Sequence, residues 1–244
     1  MSQVKDLVDA IDAFITGSKA DGTWNAIKAS CIMAGWDNLN GALTPLAGTA
    51  PTNFNFVSAD YDRKTGLVGD GSTKYLDSNR NNNADPQDSK HISIYLGISL
   101  SSGSATFRSH LGLAPGASVT GSSVLATDGS TDAARHRVNG ATPAIIGSSA
   151  GLSPGFHGAN RSTSSQITSR IAGVLTSTAS TSETRANANF YVFARNLTPN
   201  PGFAEVDSYS NARLAFYSIG EALDLAALDT RVSNLITAIG AAIP

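Results

Sequence analysis

Two segments with alternating apolar side chains, residues 91–100 and 212–220, constrain the fold of this chain more than any other feature. An alternation with a period of two is typical of β-strands, because successive side chains point to opposite faces of a sheet. We predict that the two segments are the opening and closing strands of one β-sandwich. Between them lie short apolar runs and loops rich in Ser, Gly and Thr, without a catalytic constellation. This organisation favours a structural or binding module over an enzyme.

Many further short strands are predicted, separated by glycine-rich turns. Such punctuation is typical of a sandwich or jelly roll, and no helical period alternates with the strands as it would in a parallel α/β fold. The predicted strands are 54–59, 74–78, 91–100, 106–113, 123–127, 134–138, 144–146, 155–159, 166–175, 189–195 and 212–220. The fold class is therefore predicted to be mainly β.

Apolar residues at steps of three and four predict an amphipathic helix at each end of the chain, over residues 4–16 and 224–240. Each helix could pack on its own sandwich or on another subunit, and both alternatives stay open. The candidate oligomer contacts are Leu7, Ile11, Leu228, Val232, Leu235 and Ile239.

A second helix is predicted near the N-terminus, with Asp21 or Thr23 as its N-cap. The apolar face of this helix would carry Trp24, Ile27, Cys31 and Ala34. The chain is thereby divided into an N-terminal helical segment (1–37), a β-sandwich (38–222) and a C-terminal amphipathic helix (223–244).

Charge and cysteine content limit the partners. The 244 residues have a net charge of −2, so the chain offers no basic field for a phosphate backbone, which excludes nucleic-acid binding. Cys31 is the single cysteine, so no intrachain disulfide or cysteine-based metal site can form. The first residues include acidic ones where a secretory signal is apolar, and no apolar run has the length of a membrane span. We expect a protein that is made in a cytoplasm and not inserted into a membrane.

A pair of carboxylates is the sharpest enzymatic candidate. Glu205 and Asp207 would share one face of a strand, as in one group of β-jelly-roll glycanases whose strand ends in a further Glu. Tyr209 and Ser210 occupy the positions of that last Glu, so the second catalytic carboxylate is missing. A glycan hydrolase is the least favoured function.

Metal ligands are not arranged in a recognisable motif. Asp60 and Asp62 could begin a calcium loop, but Lys64 and Thr65 replace the third ligand and the glycine that such a loop needs. A lectin-like calcium site assembled from separate loops stays open, with Asp70, Asp77 and Asp128 as its ligands. The histidines, which lack zinc-ligand spacing, are His91, His110, His136 and His157. We predict no metal and no cofactor.

Aromatic and amide residues are the better binding candidates. A sugar-stacking platform could include members of one set of aromatic residues: Tyr61, Tyr75, Tyr95, Tyr191, Tyr209, Tyr217, Trp24 and Trp36. Tyr209 is predicted to be an exposed ligand contact, and the polar loop 79–88 could contribute amide groups. The candidate ligand-binding residues are Asp207, Tyr209, Asn211, Asn81 and Asn82. Three other tyrosines lie within apolar strands and are predicted to pack in the core: Tyr95, Tyr191 and Tyr217.

Five motifs carry a family resemblance. They are Trp36-Asp-Asn-Leu-Asn40, Gly69-Asp-Gly-Ser-Thr-Lys-Tyr-Leu-Asp77, Asn79-Arg-Asn-Asn-Asn-Ala-Asp-Pro86, Phe190-Tyr-Val-Phe-Ala-Arg-Asn196 and Arg213-Leu-Ala-Phe-Tyr-Ser-Ile-Gly220. From about Ala29 to Ala226, the chain resembles a family of concanavalin A-like (laminin G-like) sandwich proteins found in bacteriophage and prophage virions. The third and fifth motifs are the more distinctive of phage structural proteins.

The resemblance implies a concanavalin A-like jelly roll and a non-enzymatic structural role in a phage particle, as a fibre, appendage or capsid decoration protein. The implied partners are other virion proteins and further copies of the chain, with a trimer expected by analogy with phage fibres. The implied location is the virion, after synthesis in the bacterial cytoplasm. The alternative function is a receptor-binding module that recognises a host cell-surface polysaccharide.

Overall fold

Two antiparallel sheets and a layer of helices make up the architecture. The computed structural model describes residues 3–104, 106–116, 118–202 and 204–243. In these ranges two nine-stranded sheets pack face to face, and two long helices cover the outside of the first sheet. The prediction of a mainly β sandwich with a helix near each end is confirmed.

The first sheet contains both segments that the alternation singled out. Its strands are β1 (Ile27–Ile32), β2 (Pro45–Ala47), β4 (Tyr61–Asp62), β5 (Gly66–Val68), β7 (Lys90–Leu96), β12 (Gly155–Arg161), β13 (Gln166–Ile171), β14 (Val174–Ala179) and β18 (Arg213–Gly220). The spatial order is β14-β13-β12-β7-β18-β1-β2, with β5 beside β18 and β4 beside β5. The opening and closing strands, β7 and β18, are thus hydrogen-bonded neighbours in the middle of the sheet.

The second sheet carries most of the features discussed below. Its strands are β3 (Thr52–Phe54), β6 (Tyr75–Asn81), β8 (Arg108–Leu113), β9 (Ser123–Thr127), β10 (Ala134–Arg137), β11 (Ala144–Ile146), β15 (Asn189–Val192), β16 (Arg195–Asn196) and β17 (Val206–Asp207). The order is β11-β10-β9-β8-β15-β6-β3. Strand β16 runs parallel to β8 and pairs with β17.

The helices are α1 (Gln3–Ala20), α2 (Leu39–Ala42) and α3 (Leu225–Ala242), with short 3₁₀ turns at Trp24–Ala26, Ser58–Asp60, Asn82–Ala84 and Ala150–Leu152. The carboxylate of Asp224 caps α3, because it accepts hydrogen bonds from the backbone N–H groups of Ala226 (2.8 Å) and Ala227 (3.1 Å). Helix α1 lies beside α3, and Phe14 meets Phe216 of the sheet edge-on with ring centroids 5.9 Å apart.

Two apolar cores hold these layers together. The sandwich core lies between the sheets and includes Leu76, Ile94, Leu111 and Phe190. A second core, which we call the helix core, lies between the first sheet and the helices. It includes Phe14, Phe216, Leu228, Val232, Leu235 and Ile239. The first sheet is therefore buried on both faces, whereas the second sheet has no helix over its outer face within the described residues.

The predicted helix over residues 24–34 is wrong. Only Trp24–Ala26 forms a single 3₁₀ turn, and the chain then enters β1, which pairs with β18. Apolar and polar residues alternate in β1 from Ile27 to Cys31, but residues 31–34 are all apolar because both faces of the sheet are covered there. The spacing of Ile27, Cys31 and Ala34 includes a helical period by coincidence. The predicted boundary between residues 37 and 38 therefore separates a central strand from its own sheet.

Two predicted strand bounds are confirmed, 123–127 and 144–146. The predicted strand 166–175 is wrong, because the chain reverses at Ala172 and Gly173, both with positive φ (49° and 76°), to form the hairpin of β13 and β14. The predicted strand 54–59 is also wrong. The observed strand β3 ends at Phe54, and a 3₁₀ turn begins at Ser58.

Helix α3 packs on its own sandwich. Four candidate oligomer contacts on α3 are buried within the helix core, so their assignment to a subunit contact is wrong: Leu228, Val232, Leu235 and Ile239. Leu7 and Ile11 of α1 are half-buried at the margin of that core, and their role in an oligomer stays a prediction. None of the helices in the described ranges combines the length and hydropathy needed to cross a lipid bilayer.

Candidate functional site

The outer face of the second sheet presents aromatic side chains to solvent. Alternation along β6 points Leu76 into the sandwich core and turns Tyr75 and Asp77 outward. On the neighbouring strand β15, Tyr191 points outward beside Asp77, its partner in the register. The sequence thus builds a solvent-facing aromatic surface with the same alternation that fills the core.

Four aromatic rings meet there, and we call them the aromatic patch. Tyr75 is at the centre: its ring stacks on Phe54 (centroids 4.4 Å apart, planes at 6°) and lies 4.7 Å from Tyr191 and 6.2 Å from Tyr209. Phe54 is 37% exposed, and the three tyrosines are half-buried. Because the rings support one another, they form a preformed surface that needs little ordering on binding.

Polar groups surround the aromatic patch. Burial raises the pKa of Tyr191 to about 12, with nearby Asp77 adding to the effect, and also raises the pKa values of Tyr75 and Tyr209. All three phenols therefore stay protonated at neutral pH and can donate as well as accept hydrogen bonds. The Asp77 carboxylate accepts a hydrogen bond from the Asn189 amide at 3.2 Å. The patch thus combines apolar ring faces with a polar rim.

The predicted residue Asp207 lies beside this patch in a fixed ion pair. The pairing of β16 with β17 sets Arg195 opposite Asp207, and the guanidinium donates two hydrogen bonds to the carboxylate, at 2.8 and 2.6 Å. Such a bidentate pair is rigid and directional. Asn211 is exposed, and its amide oxygen lies 3.5 Å from Nη1 of Arg108.

The structure brings Tyr209 and Asp207 together but separates Asn81 and Asn82 from them. Those two residues lie at the far end of β6, about 20 Å from Tyr75 at ~3.3 Å per residue. The Asn81 amide donates to Asn187. Asn82 is fully buried and donates to Asn139 at 3.0 Å, so its assignment as a ligand contact is wrong.

Sequence reasoning did not single out three members of the aromatic patch. Phe54 had no assigned binding role, Tyr75 was named only among the aromatic residues that could include a sugar-stacking platform, and Tyr191 was predicted to pack in the core. The alternation itself carried the signal, because Tyr191 lies between Phe190 and Val192, which point into the sandwich, and Tyr75 precedes Leu76, which does the same. Of the three tyrosines predicted to lie in the core, Tyr217 is fully buried, whereas Tyr95 and Tyr191 are half-buried.

The aspartates considered as calcium ligands each serve a separate turn. Asp70 accepts hydrogen bonds from the backbone N–H groups of residues 72–74, which bring its pKa below the ordinary value despite partial burial. Asp128 accepts hydrogen bonds from the backbone N–H groups of Ser130 and Thr131, and Asp77 accepts one from the backbone N–H group of Asn79. Within the described part of the chain, no group of three or more His, Cys, Asp or Glu side chains is placed to hold a metal ion.

Three histidines that lie far apart in the sequence are inside the sandwich. His110 (β8) and His136 (β10) come from the second sheet, and His157 (β12) comes from the first. The rings of His136 and His157 are 6.4 Å apart, and burial lowers the pKa of His136 to about 3 and depresses those of the other two. We call these residues the histidine cluster. It lies behind the outer face and does not contribute to the aromatic patch.

Comparison with known proteins identifies the fold. No protein-family model matches the chain, and no curated protein matches it. Solved structures that share its fold include the binding domain of botulinum neurotoxin serotype D (TM-score 0.56, 11% identity, 89% of this chain and 52% of that chain). The binding domain of botulinum neurotoxin DC in complex with SialylT has a TM-score of 0.51 (14% identity, 88% and 51% coverage). A Trypanosoma rangeli sialidase has a TM-score of 0.50 (14% identity, 88% and 33% coverage).

The chain spans about half the length of the neurotoxin binding domains and a third of the sialidase chain. At 11–14% identity, these likenesses establish the fold alone. The predicted fold class, a mainly β jelly-roll sandwich of concanavalin A-like type with amphipathic helices at both termini, is confirmed.

Proposed function

We propose that this chain is a non-catalytic glycan-binding module whose ligand docks on the aromatic patch. The observation that carries the proposal is the preformed cluster around Tyr75 on a sheet face that no helix covers within the described residues. A sugar ring has faces of C–H groups and a periphery of hydroxyls. It therefore suits aromatic faces bordered by phenols, amides and carboxylates.

The solved structures that share the fold add support. One of them, a botulinum neurotoxin binding domain, is described in complex with SialylT, and others are receptor-binding domains. The proposal that the present chain binds glycans rests on the aromatic patch, since fold alone does not determine function.

A binding role also agrees with the state of the acidic residues near the patch. Asp207 is held by two hydrogen bonds from Arg195, and Glu205 lies on an exposed segment two residues earlier. If the chain were a glycan hydrolase, Glu205→Gln would abolish turnover of host polysaccharide. We expect no turnover from either form.

Replacing Tyr75 with alanine tests the proposal directly. Tyr75 touches all three other rings, so Tyr75→Ala should weaken glycan binding about tenfold or more, the loss typical of a central binding residue. Binding would be measured on a glycan array and then by calorimetry on the best ligand. Phe54→Ala, at the exposed edge, should produce a smaller loss.

Tyr95→Ala is the matched control, because Tyr95 is a half-buried tyrosine of the first sheet that lies against the helix core. Thermal melts would show that each variant is folded. The proposal is wrong if wild-type protein binds no glycan, or if Tyr75→Ala binds as tightly as wild type while remaining folded.

The virion role indicated by the sequence motifs is part of the same proposal. In this form the chain is a phage attachment or structural protein, with other virion proteins and copies of itself as partners. Gold-labelled antibody against the protein should bind at the tail tip or on projecting fibres of intact particles. Label over the capsid would favour a decoration role and remove the attachment role, and particles without label would overturn the virion proposal.

A further inference from the structure

Arginines are gathered on the outer face of the second sheet, beyond the aromatic patch. Arg135 and Arg137 lie two positions apart on β10 and pair with Ala126 and Val124 of β9. The ring of Phe107 lies between two guanidinium groups, 6.0 Å from the Cζ of Arg135 and 5.8 Å from the Cζ of Arg195. We call these three arginines and Phe107 the arginine cluster.

The register of the sheet connects this cluster to the aromatic patch. Arg137 pairs with Val124, Val124 with Gly112, and Gly112 with Tyr191. The two sites are thus three strand spacings apart on the same face, about 14 Å at ~4.8 Å per strand. A ligand that touches both must be an oligosaccharide, because a single sugar is too short.

The charges within the cluster are not equally compensated. Arg195 is paired with Asp207, and Arg135 lies 3.4 Å from Asp128. Arg137 has no carboxylate within ion-pair distance among the described residues, and its Nε donates to the backbone oxygen of Ala141 at 2.9 Å. Among the described residues only the Nε of this guanidinium has a hydrogen bond, so the two Nη groups of Arg137 remain as donors for an anion.

Burial of the Arg137 guanidinium without a paired carboxylate is energetically unfavourable. Only 7% of the residue is exposed, and its burial together with the charges of Arg135 and Arg195 lowers its pKa to about 10, although the charge of Glu183 opposes the shift. Arg137 is still cationic at neutral pH, so a partly desolvated positive charge faces two others of the same sign. An external anion would relieve this repulsion and use the free donors of the guanidinium.

We propose that the arginine cluster is a subsite for the carboxylate of an acidic sugar, with Arg137 as its principal ligand. This inference rests on the proposed function, since it assigns the second contact of the glycan that docks on the aromatic patch. A guanidinium presents two parallel N–H groups that match the two oxygens of a carboxylate. The preferred ligand class is an acidic oligosaccharide. Its uronic acid or other carboxylate-bearing sugar lies one or more sugar residues away from the one that stacks on Tyr75.

The experiment compares acidic oligosaccharides on an array with the same oligosaccharides after chemical reduction of their carboxyl groups. Wild-type protein should bind the acidic member of its best pair about tenfold or more tightly, as a charge-assisted bidentate contact implies. Arg137→Gln should abolish this preference, because it weakens binding of the acidic member to the level of the reduced one. Arg137→Lys should keep part of the preference for the acidic member, because lysine retains the positive charge. The remainder should be lost, because lysine lacks the two parallel N–H donors of a guanidinium.

Arg231→Gln is the matched control, since Arg231 lies on α3, on the opposite side of the sandwich, where it pairs with Asp21. Equal binding of acidic and reduced oligosaccharides, together with a loss in Tyr75→Ala, would overturn the subsite and leave the glycan-binding function standing. An acidic preference that survives in folded Arg137→Gln would also overturn it. A protein that binds neither class would overturn both proposals.

Discussion

Asp85→Asn is expected to destabilise the protein by about 3–5 kcal/mol, the cost of removing one partner from a buried ion pair. The Asp85 carboxylate is fully buried and accepts hydrogen bonds from Lys90, at 2.9 Å, and from Arg80. Lys90 is fully buried as well, and its ammonium lies over the ring of Phe190. Without the carboxylate, a buried ammonium would have no counter-ion in its immediate surroundings.

The loss of stability in Asp85→Asn should become smaller as the pH rises. Burial lowers the pKa of Lys90 to about 8 even though Asp85 opposes the shift, and the substitution should lower it further. A lysine whose pKa is lower in the folded than in the unfolded chain favours unfolding at every pH where the unfolded lysine is protonated, because the unfolded chain binds the proton more tightly. That penalty falls as the pH rises toward the unfolded value of ~10.5. The unfolded value is common to both proteins, so the stability gap between Asp85→Asn and wild type should narrow as the pH rises from about 7 to about 9, past the pKa of about 8 at which folded wild-type Lys90 loses its proton.

Urea unfolding of both proteins across this pH range would measure the gap. Asp9→Asn is the control, because Asp9 forms an exposed pair with Lys5 on α1, and we expect no measurable change there. A folded Asp85→Asn protein as stable as wild type at about pH 7 would show that this ion pair is not needed.

The sequence predicted the fold class well and the N-terminal part poorly, for one physical reason. Strands of the second sheet such as Ser123–Thr127 are short and bounded by turn residues, so their limits can be read from the sequence. Strand β1 is covered by the helix core on one side and the sandwich core on the other. The alternation of β1 gives way to an apolar run over residues 31–34, and the spacing of Ile27, Cys31 and Ala34 then imitates a helix.

The candidate site was predicted only where one segment contained it. Tyr209 and Asp207 lie within three residues of each other, and the loop composition pointed to them. The rest of the aromatic patch comes from β3, β6 and β15, which are brought together only by strand order. The histidine cluster shows the same limit more strongly, because its members lie on three strands from two sheets. Contacts of this kind depend on topology, which residue spacing does not record.

The histidine cluster should make the fold sensitive to acid. Its hydrogen bonds suit neutral rings: Thr127 donates to Gly151 and so accepts from Nε2–H of His110, which leaves Nδ1 to accept from Ser210. His157 donates from Nε2 to the backbone oxygen of Ser153. Both ring nitrogens of His136 are buried without a partner in the described part of the chain, so a proton there would gain no hydrogen bond.

The pKa values of these histidines predict that the folded state loses stability as the pH falls. Each of these histidines has a folded-state pKa below the unfolded value of ~6.5, so the unfolded chain takes up protons first as the pH falls. Their contribution to stability is complete above about pH 6.5 and is lost as the pH falls toward the folded-state values. For His136, whose folded pKa is about 3, the loss at about pH 4.5 is roughly 2–3 kcal/mol. The charge of Arg108, which is paired with Asp132, further opposes protonation of His110.

His136→Leu tests this account without removing any hydrogen bond present in the described residues. At about pH 7 the variant should be as stable as wild type or more so, because an unpartnered polar ring is replaced by an apolar side chain. At about pH 4.5 it should be the more stable protein by roughly 2–3 kcal/mol, measured by urea unfolding. His91 lies outside the cluster and bonds through both ring nitrogens to Glu221 and Ser218, so His91→Leu should instead destabilise the protein at neutral pH. If His136→Leu lost stability in acid in parallel with wild type, the acid sensitivity would have to come from other groups, since removing His136 removes both its own proton uptake and its repulsion of His110.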